Sequence, residues 1–100
     1  MILKREQVET TVKAIYHSSN ICASIYDKIS KNLIIIFNNG GQYKYNNVSE
    51  TDYTRFEIAE SQGLVLNSHI KKYGFEKLNK VDVSELLKEV QEIKDKTNII

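Results

Sequence analysis

Residues 33–45 read Leu33-Ile34-Ile35-Ile36-Phe37-Asn38-Asn39-Gly40-Gly41-Gln42-Tyr43-Lys44-Tyr45. A continuous apolar run enters a polar, glycine-containing turn and returns as an alternating aromatic segment. Asn38, Asn39, Gly40 and Gly41 tolerate the positive φ that primed hairpin turns require. The β-branched and aromatic runs on either side complete a hairpin signal. Side chains alternate along a strand, so Tyr43 and Tyr45 share one face and Lys44 takes the other. Phe37 is expected as a buried aromatic on the central strand.

Working outward, Ile21, Ala23 and Ile25 alternate with Cys22, Ser24 and Tyr26. This marks a preceding strand that turns through residues 28–32 into the hairpin. The expectation is a three-stranded antiparallel meander. Residues 4–16 are ambiguous: Val8, Val12 and Ile15 recur at helical spacing, whereas Thr10-Thr11-Val12 favours strand. A short helix is expected there, followed by a polar break at Ser18-Ser19-Asn20.

Helices should cover the sheet. Ser49 and Asp52 have capping-box spacing, and Val48 and Tyr53 occupy the staple positions. Tyr53, Phe56 and Ala59 would then face inward, with Glu57 and Glu60 outside and Gly63 ending the helix. A second short helix places Leu66, Ile70 and Tyr73 on one stripe and ends at Gly74. Further on, Asp82 with Glu85 and Val81 with Leu86 announce a C-terminal amphipathic helix. Its apolar stripe is Val83, Leu86, Leu87, Val90 and Ile93, with Glu92 and Lys96 placed for an i,i+4 pair. That stripe either docks on the domain or, through Leu86, Leu87, Val90 and Ile93, associates with a second copy or a protein partner. The fold class expected is therefore α+β: a three-stranded meander covered by helices, plus a C-terminal amphipathic helix. Its units are an N-terminal extension (1–17), a central domain (18–78) and the final helix (79–100).

The chain has 100 residues, 41% apolar and 27% charged, as suits one globular domain. No apolar run approaches the ~18 residues of a membrane span, and no signal-peptide core follows the N-terminus. Cys22 is the lone cysteine, which excludes an internal disulfide and fits a reducing cytoplasm. Fourteen basic against 13 acidic residues give a net charge of +1. A protein that binds nucleic acid mainly through phosphate contacts is usually more basic.

Residues 18–78 resemble the KTSC domain, a small module named for the C-terminus of some lysyl-tRNA synthetases and also found free-standing in bacteria and phages. The resemblance is carried by Ser18-Ser19-Asn20-Ile21, Tyr26-Asp27, and Leu33 with Phe37 and Gly40. It continues through Tyr43-Lys44-Tyr45, Val48 with Tyr53, then Ala59, Ser61 and Gly63, and finally Asn67, Ile70 and Tyr73. The chain departs from the pattern at three places. Ser49 stands where proline is common, and Ile25 where glycine often precedes Tyr-Asp. Val65-Leu66 replaces an aromatic pair before Asn67, which removes one surface for base stacking. The resemblance implies RNA or nucleotide binding.

The candidate binding residues are Ser18, Ser19, Asn20, Tyr43, Lys44, Tyr45, Asn67, Lys71 and Lys72. Tyr43 and Tyr45 would stack on bases, against the alternative that both pack under the helix. Lys44 is then the solvated member of that strand. Lys71, Lys72 and Lys77, with Arg55, make either a phosphate-binding patch or solubilising charges. Ser18-Ser19-Asn20 offers donors to a ligand or simply caps its own loop. His17 and His69 are the only histidines. With Cys22 they supply three N or S ligands where structural zinc wants four, so no metal is expected. A Cys-His nucleophile would lack an orienting third group. The reading is a non-enzymatic, cofactor-free cytoplasmic binding module for RNA or a nucleotide. The alternative is a phage-encoded protein that inhibits a bacterial anti-phage defence complex, or an oligomer that sequesters a nucleotide signal in the host cytoplasm.

Overall fold

A computed structural model describes residues 1–97; residues 98–100 of the expected C-terminal element lie outside them. The sheet has six strands rather than three, in the order β1-β2-β3-β4-β5-β6, all neighbours antiparallel. The strands are β1 (Ile2–Val8), β2 (Thr11–Tyr16), β3 (Ile21–Asp27), β4 (Leu33–Phe37), β5 (Gln42–Tyr45) and β6 (Phe75–Leu78). Between β5 and β6 come α1 (Glu50–Ile58), α2 (Gln62–Val65) and a π-helical turn (Leu66–Ile70); α3 (Ser84–Thr97) follows β6.

The segment expected as an N-terminal helix is the β1–β2 hairpin. Val8 pairs with Thr11 around a tight turn in which Glu9 adopts φ 56°. Val12, Ala14 and Tyr16 are buried on one face and Ile15 on the other. This period-two burial, together with the β-branched Thr-Thr-Val, overrides the helical spacing of Val8, Val12 and Ile15. Val8 is 61% exposed and takes no part in a core.

Both faces of the sheet are covered, which is why β4 reads as a continuous apolar run. Leu33 and Ile35 face α1 and the π-helical turn, alongside Val48, Tyr53, Phe56, Leu66 and Ile70. Ile34 and Ile36 face the other way, toward Val83 and Val90 of the C-terminal segment. Between Ile21 and Ala23 the pairing with β4 shifts register, which inserts an extra residue. The bulge breaks the expected alternation. Ile21 joins the face of Tyr26, while Cys22 joins that of Ala23 and Ile25.

The central hairpin closes through a three-residue loop, residues 38–40, with Phe37 N–H donating to the Gly41 carbonyl at 2.8 Å. Within this loop Gly40 alone has positive φ, at 87°. In place of the expected primed turn, the hairpin uses a three-residue loop whose last residue is left-handed.

Ser49 caps α1 by accepting the Asp52 N–H at 3.1 Å. The reciprocal half of the capping box is replaced. The Tyr73 hydroxyl accepts the Ser49 N–H at 3.3 Å and donates to Asp52 Oδ2 at 2.5 Å. Helix α1 stops at Ile58, and Gly63 lies inside α2 rather than ending α1. Glu57, expected outside, is buried. It accepts from the Tyr53 hydroxyl at 2.5 Å and pairs with Arg5 at 2.9 Å. Tyr53 also stacks on Tyr26, with ring centroids 4.2 Å apart.

Helix α3 lies on the second face. Val83 and Val90 are buried, Leu86 and Ile93 pack against the same cluster, and Leu87 is 38% exposed. Four of the five stripe residues thus pack within the chain, and Leu87 does not join them. An ion pair between Lys4 and Glu89 at 2.8 Å joins α3 to β1; both ends are exposed, so its contribution is small.

Candidate functional site

The first sheet face stays open along β5, β6 and the β4–β5 turn, where a groove of about 620 Å³ lies. Antiparallel register sets its floor: Tyr45 opposes Phe75, and Tyr43 opposes Lys77. Alternation then places Tyr43, Tyr45, Phe75 and Lys77 on one face. Phe37 reaches the same floor from the end of β4. The rings form a chain of edge contacts. Phe37 and Tyr43 centroids are 5.6 Å apart at 84°, and Tyr43 and Phe75 are 5.8 Å apart at 63°. Phe75 is 58% exposed, so part of this aromatic surface is free.

Cations stand around it. Lys71 follows the π-helical turn, Lys77 comes from β6 and Lys80 from the segment after it. None of the three has a carboxylate partner among the described residues. The wide turn, closed by the Lys71 N–H on the Leu66 carbonyl at 2.9 Å, buries Leu66 and Ile70. Asn67 and Lys71 line the opening instead. Such π-turns are frequent at functional sites.

A second compartment of about 350 Å³ adjoins the first and shares Phe37, Asn39 and Lys71 with it. Its walls are amide-rich: Asn20, Asn38 and Asn67, with Ser19. Asn38 is tied down, its side-chain amide donating to the Ser18 carbonyl at 3.0 Å. The side chains of Ser19, Asn20 and Asn67 have no hydrogen-bond partner within the described chain.

The groove thus gathers six of the nine candidate binding residues, Ser19, Asn20, Tyr43, Tyr45, Asn67 and Lys71, together with Lys77 of the basic patch. Tyr45 is largely core, at 4% exposure, and burial raises its hydroxyl pKa. Tyr43 is partly buried and lines the groove. Three residues fall elsewhere. Ser18 caps its own loop, its hydroxyl accepting the Asn20 and Ile21 N–H groups at 3.3 Å each. Lys44 lies on the opposite face, paired with Glu76 at 2.7 Å. Lys72 pairs with Asp52 at 3.0 Å and sits 5.3 Å from the Tyr73 ring centroid; Arg55 meets the same carboxylate at 3.1 Å. Asp52 is held below the usual carboxylate range, first by the Tyr73 hydrogen bond and then by Lys72 and Arg55.

Phe75 and Lys80 were missed by sequence reading. The signal for Phe75 is the Phe75-Glu76-Lys77-Leu78 alternation after Gly74, legible only once that segment is known to pair with β5. Cys22 lies in the cluster beneath α3, its thiol donating to the Ile36 carbonyl at 3.4 Å, and burial raises its pKa. The half-buried His69 instead contacts Ser68 Oγ through Nδ1, at 2.7 Å. Among the described residues, no cluster of His, Cys, Asp or Glu suits a metal ion, and no helix is long and apolar enough to cross a membrane.

Fold and groove together define a small α+β domain with an aromatic and basic recess at one end of an antiparallel sheet. The KTSC domain profile matches residues 17–75, more than half of the chain, and the protein belongs to that family. It is similar to the crystal structure of a KTSC domain protein from Yersinia pestis, with 28% identity and a TM-score of 0.63 over 76% of this chain and 97% of that one. No curated protein matches the chain. Most of the groove lies inside the matched region; Lys77 and Lys80 lie beyond it, as do the β1–β2 hairpin and α3.

Proposed function

We propose that this KTSC domain binds a nucleotide or single-stranded RNA in the groove beside β5 and β6. One observation carries the reading. The chain has 13 acidic residues, yet none lines either compartment, whereas Lys71, Lys77 and Lys80 do, around the exposed edges of Phe37, Tyr43 and Phe75. Cations without carboxylate partners favour an anionic ligand, and exposed rings favour one with a π-face to stack. Nucleotides have both. No carboxylate, imidazole or thiol lines the groove, which supports binding rather than catalysis.

Most of the C-terminal stripe that would serve a protein-interaction role is turned to the sheet. The net charge of +1 also fits this site. Local cations confine attraction to one recess, and sequence-independent coating of RNA needs a broader basic surface.

Fluorescence anisotropy with a labelled single-stranded RNA tests the proposal. About three phosphate contacts predict a log–log salt slope near −2. Charge reversal of Lys71 and Lys77 together should weaken binding at least tenfold. Absence of binding to RNA and nucleotides at low salt would overturn the proposal.

A further inference from the structure

We infer that the groove is shaped for two nucleotides joined by a phosphodiester, rather than for a single mononucleotide; the inference rests on the nucleotide reading above. The two compartments differ in chemistry. One, of about 620 Å³, offers ring surface from Tyr43 and Phe75. The other, of about 350 Å³, offers the unpaired amides of Asn20 and Asn67. Each reaches the ~300 Å³ at which small-ligand pockets begin. Stacking accepts any base, because every base has a π-face. Amide side chains instead hydrogen-bond to base edges and distinguish among them.

The boundary between the compartments carries the argument further. Lys71 is the one cation that lines both. An anion between a stacked base and an edge-read base is what a dinucleotide step presents. Lys77 and Lys80 line only the aromatic compartment, and are placed for a phosphate flanking the stacked nucleotide. Charge alone would order ligands differently. A terminal monophosphate carries about −1.5 to −2 at pH 7, and a single phosphodiester link carries less. Electrostatics by itself therefore favours the mononucleotide, whereas a two-compartment fit favours the dinucleotide. The step belongs either to a single strand or to a free dinucleotide, and both share this chemistry.

Calorimetry on the full chain distinguishes them with three probes: an equimolar mixture of the four nucleoside monophosphates, the mixture of linear dinucleoside monophosphates, and a mixed-sequence hexanucleotide. The dinucleotides should bind at least tenfold tighter than the mononucleotides. Asn67→Ala, at an exposed position, should lower dinucleotide affinity at least fivefold. A hexanucleotide tighter than the dinucleotides assigns the step to a strand; equal affinity assigns it to a free dinucleotide, and either supports the inference. Mononucleotides binding as tightly as dinucleotides, or an Asn67→Ala protein indistinguishable from wild type, would overturn it while leaving nucleotide binding intact. Silence from all three probes would overturn both.

Discussion

Val81 closes onto Gly40. Its N–H donates to the Gly40 carbonyl at 3.0 Å, and a β-carbon on Gly40 would stand 2.5 Å from the Val81 carbonyl oxygen. The glycine at the left-handed position of the central hairpin is thus also the point where the segment leading to α3 crosses that hairpin. Gly40→Ala must pay for the left-handed φ, about 1–2 kcal/mol, and also push a backbone oxygen aside. A loss of roughly 2 kcal/mol or more is expected in urea unfolding, together with faster hydrogen exchange at the Val81 amide. A loss below ~0.5 kcal/mol would show that the two segments do not meet.

Phe56 and Phe37 should part company. Phe56 is fully buried, edge-on to Tyr16 with centroids 5.4 Å apart, so Phe56→Ala should cost about 3–5 kcal/mol. Phe37, expected from sequence as a core residue, is only partly buried and lines the groove. Its truncation should cost about 1–2 kcal/mol but weaken ligand binding. Equal destabilisation by the two changes would place Phe37 in the core.

Asp52 makes stability depend on acid. Its folded pKa lies below the unfolded value, chiefly because Tyr73 donates to the carboxylate, so ionised Asp52 stabilises the fold. That contribution is complete above the unfolded pKa, near 4, and disappears as pH falls through the folded value. Wild type should therefore exceed Asp52→Asn in stability at about pH 6, with the gap narrowing below about pH 4. Thermal melts of both proteins across this range give the comparison. A gap that widens on acidification would contradict the assignment.

Helix α3 offers a paired test. Val90 is buried against the sheet at 9% exposure and Leu87 is 38% exposed. Val90→Ala should lose about 1–2 kcal/mol, while Leu87→Ala stays within about 0.5 kcal/mol. Light scattering alongside shows whether Leu87 also serves association. If Leu87→Ala proves the more costly in a monomer, the helix is rotated from the orientation described.

What could be read from sequence followed from periodicity. The β4–β5 hairpin, strand β3, the Ser49 cap and the α3 stripe all carry regular patterns. Where two periods competed, at residues 4–16, the helical spacing of Val8, Val12 and Ile15 concealed a hairpin. The bulge at Cys22 has no local signature, because an extra residue in β3 shows only against its partner β4. The groove was legible by residue type at Tyr43, Asn67 and Lys71. Phe75 and Lys80 were not, since β6 is a four-residue strand whose alternation has meaning only beside Tyr43 and Tyr45.

Strand order in the sheet equals strand order in the chain. From β1 to β5 each strand pairs with its immediate predecessor across a short turn, and only the β5–β6 pairing encloses the helices and closes a long loop. Short closures cost little entropy, and topologies rich in near-neighbour pairings fold fast for their class. During synthesis, each strand from β2 to β5 meets its predecessor as it leaves the ribosome. The exposed edge therefore moves along with the nascent chain until β6 and α3 arrive.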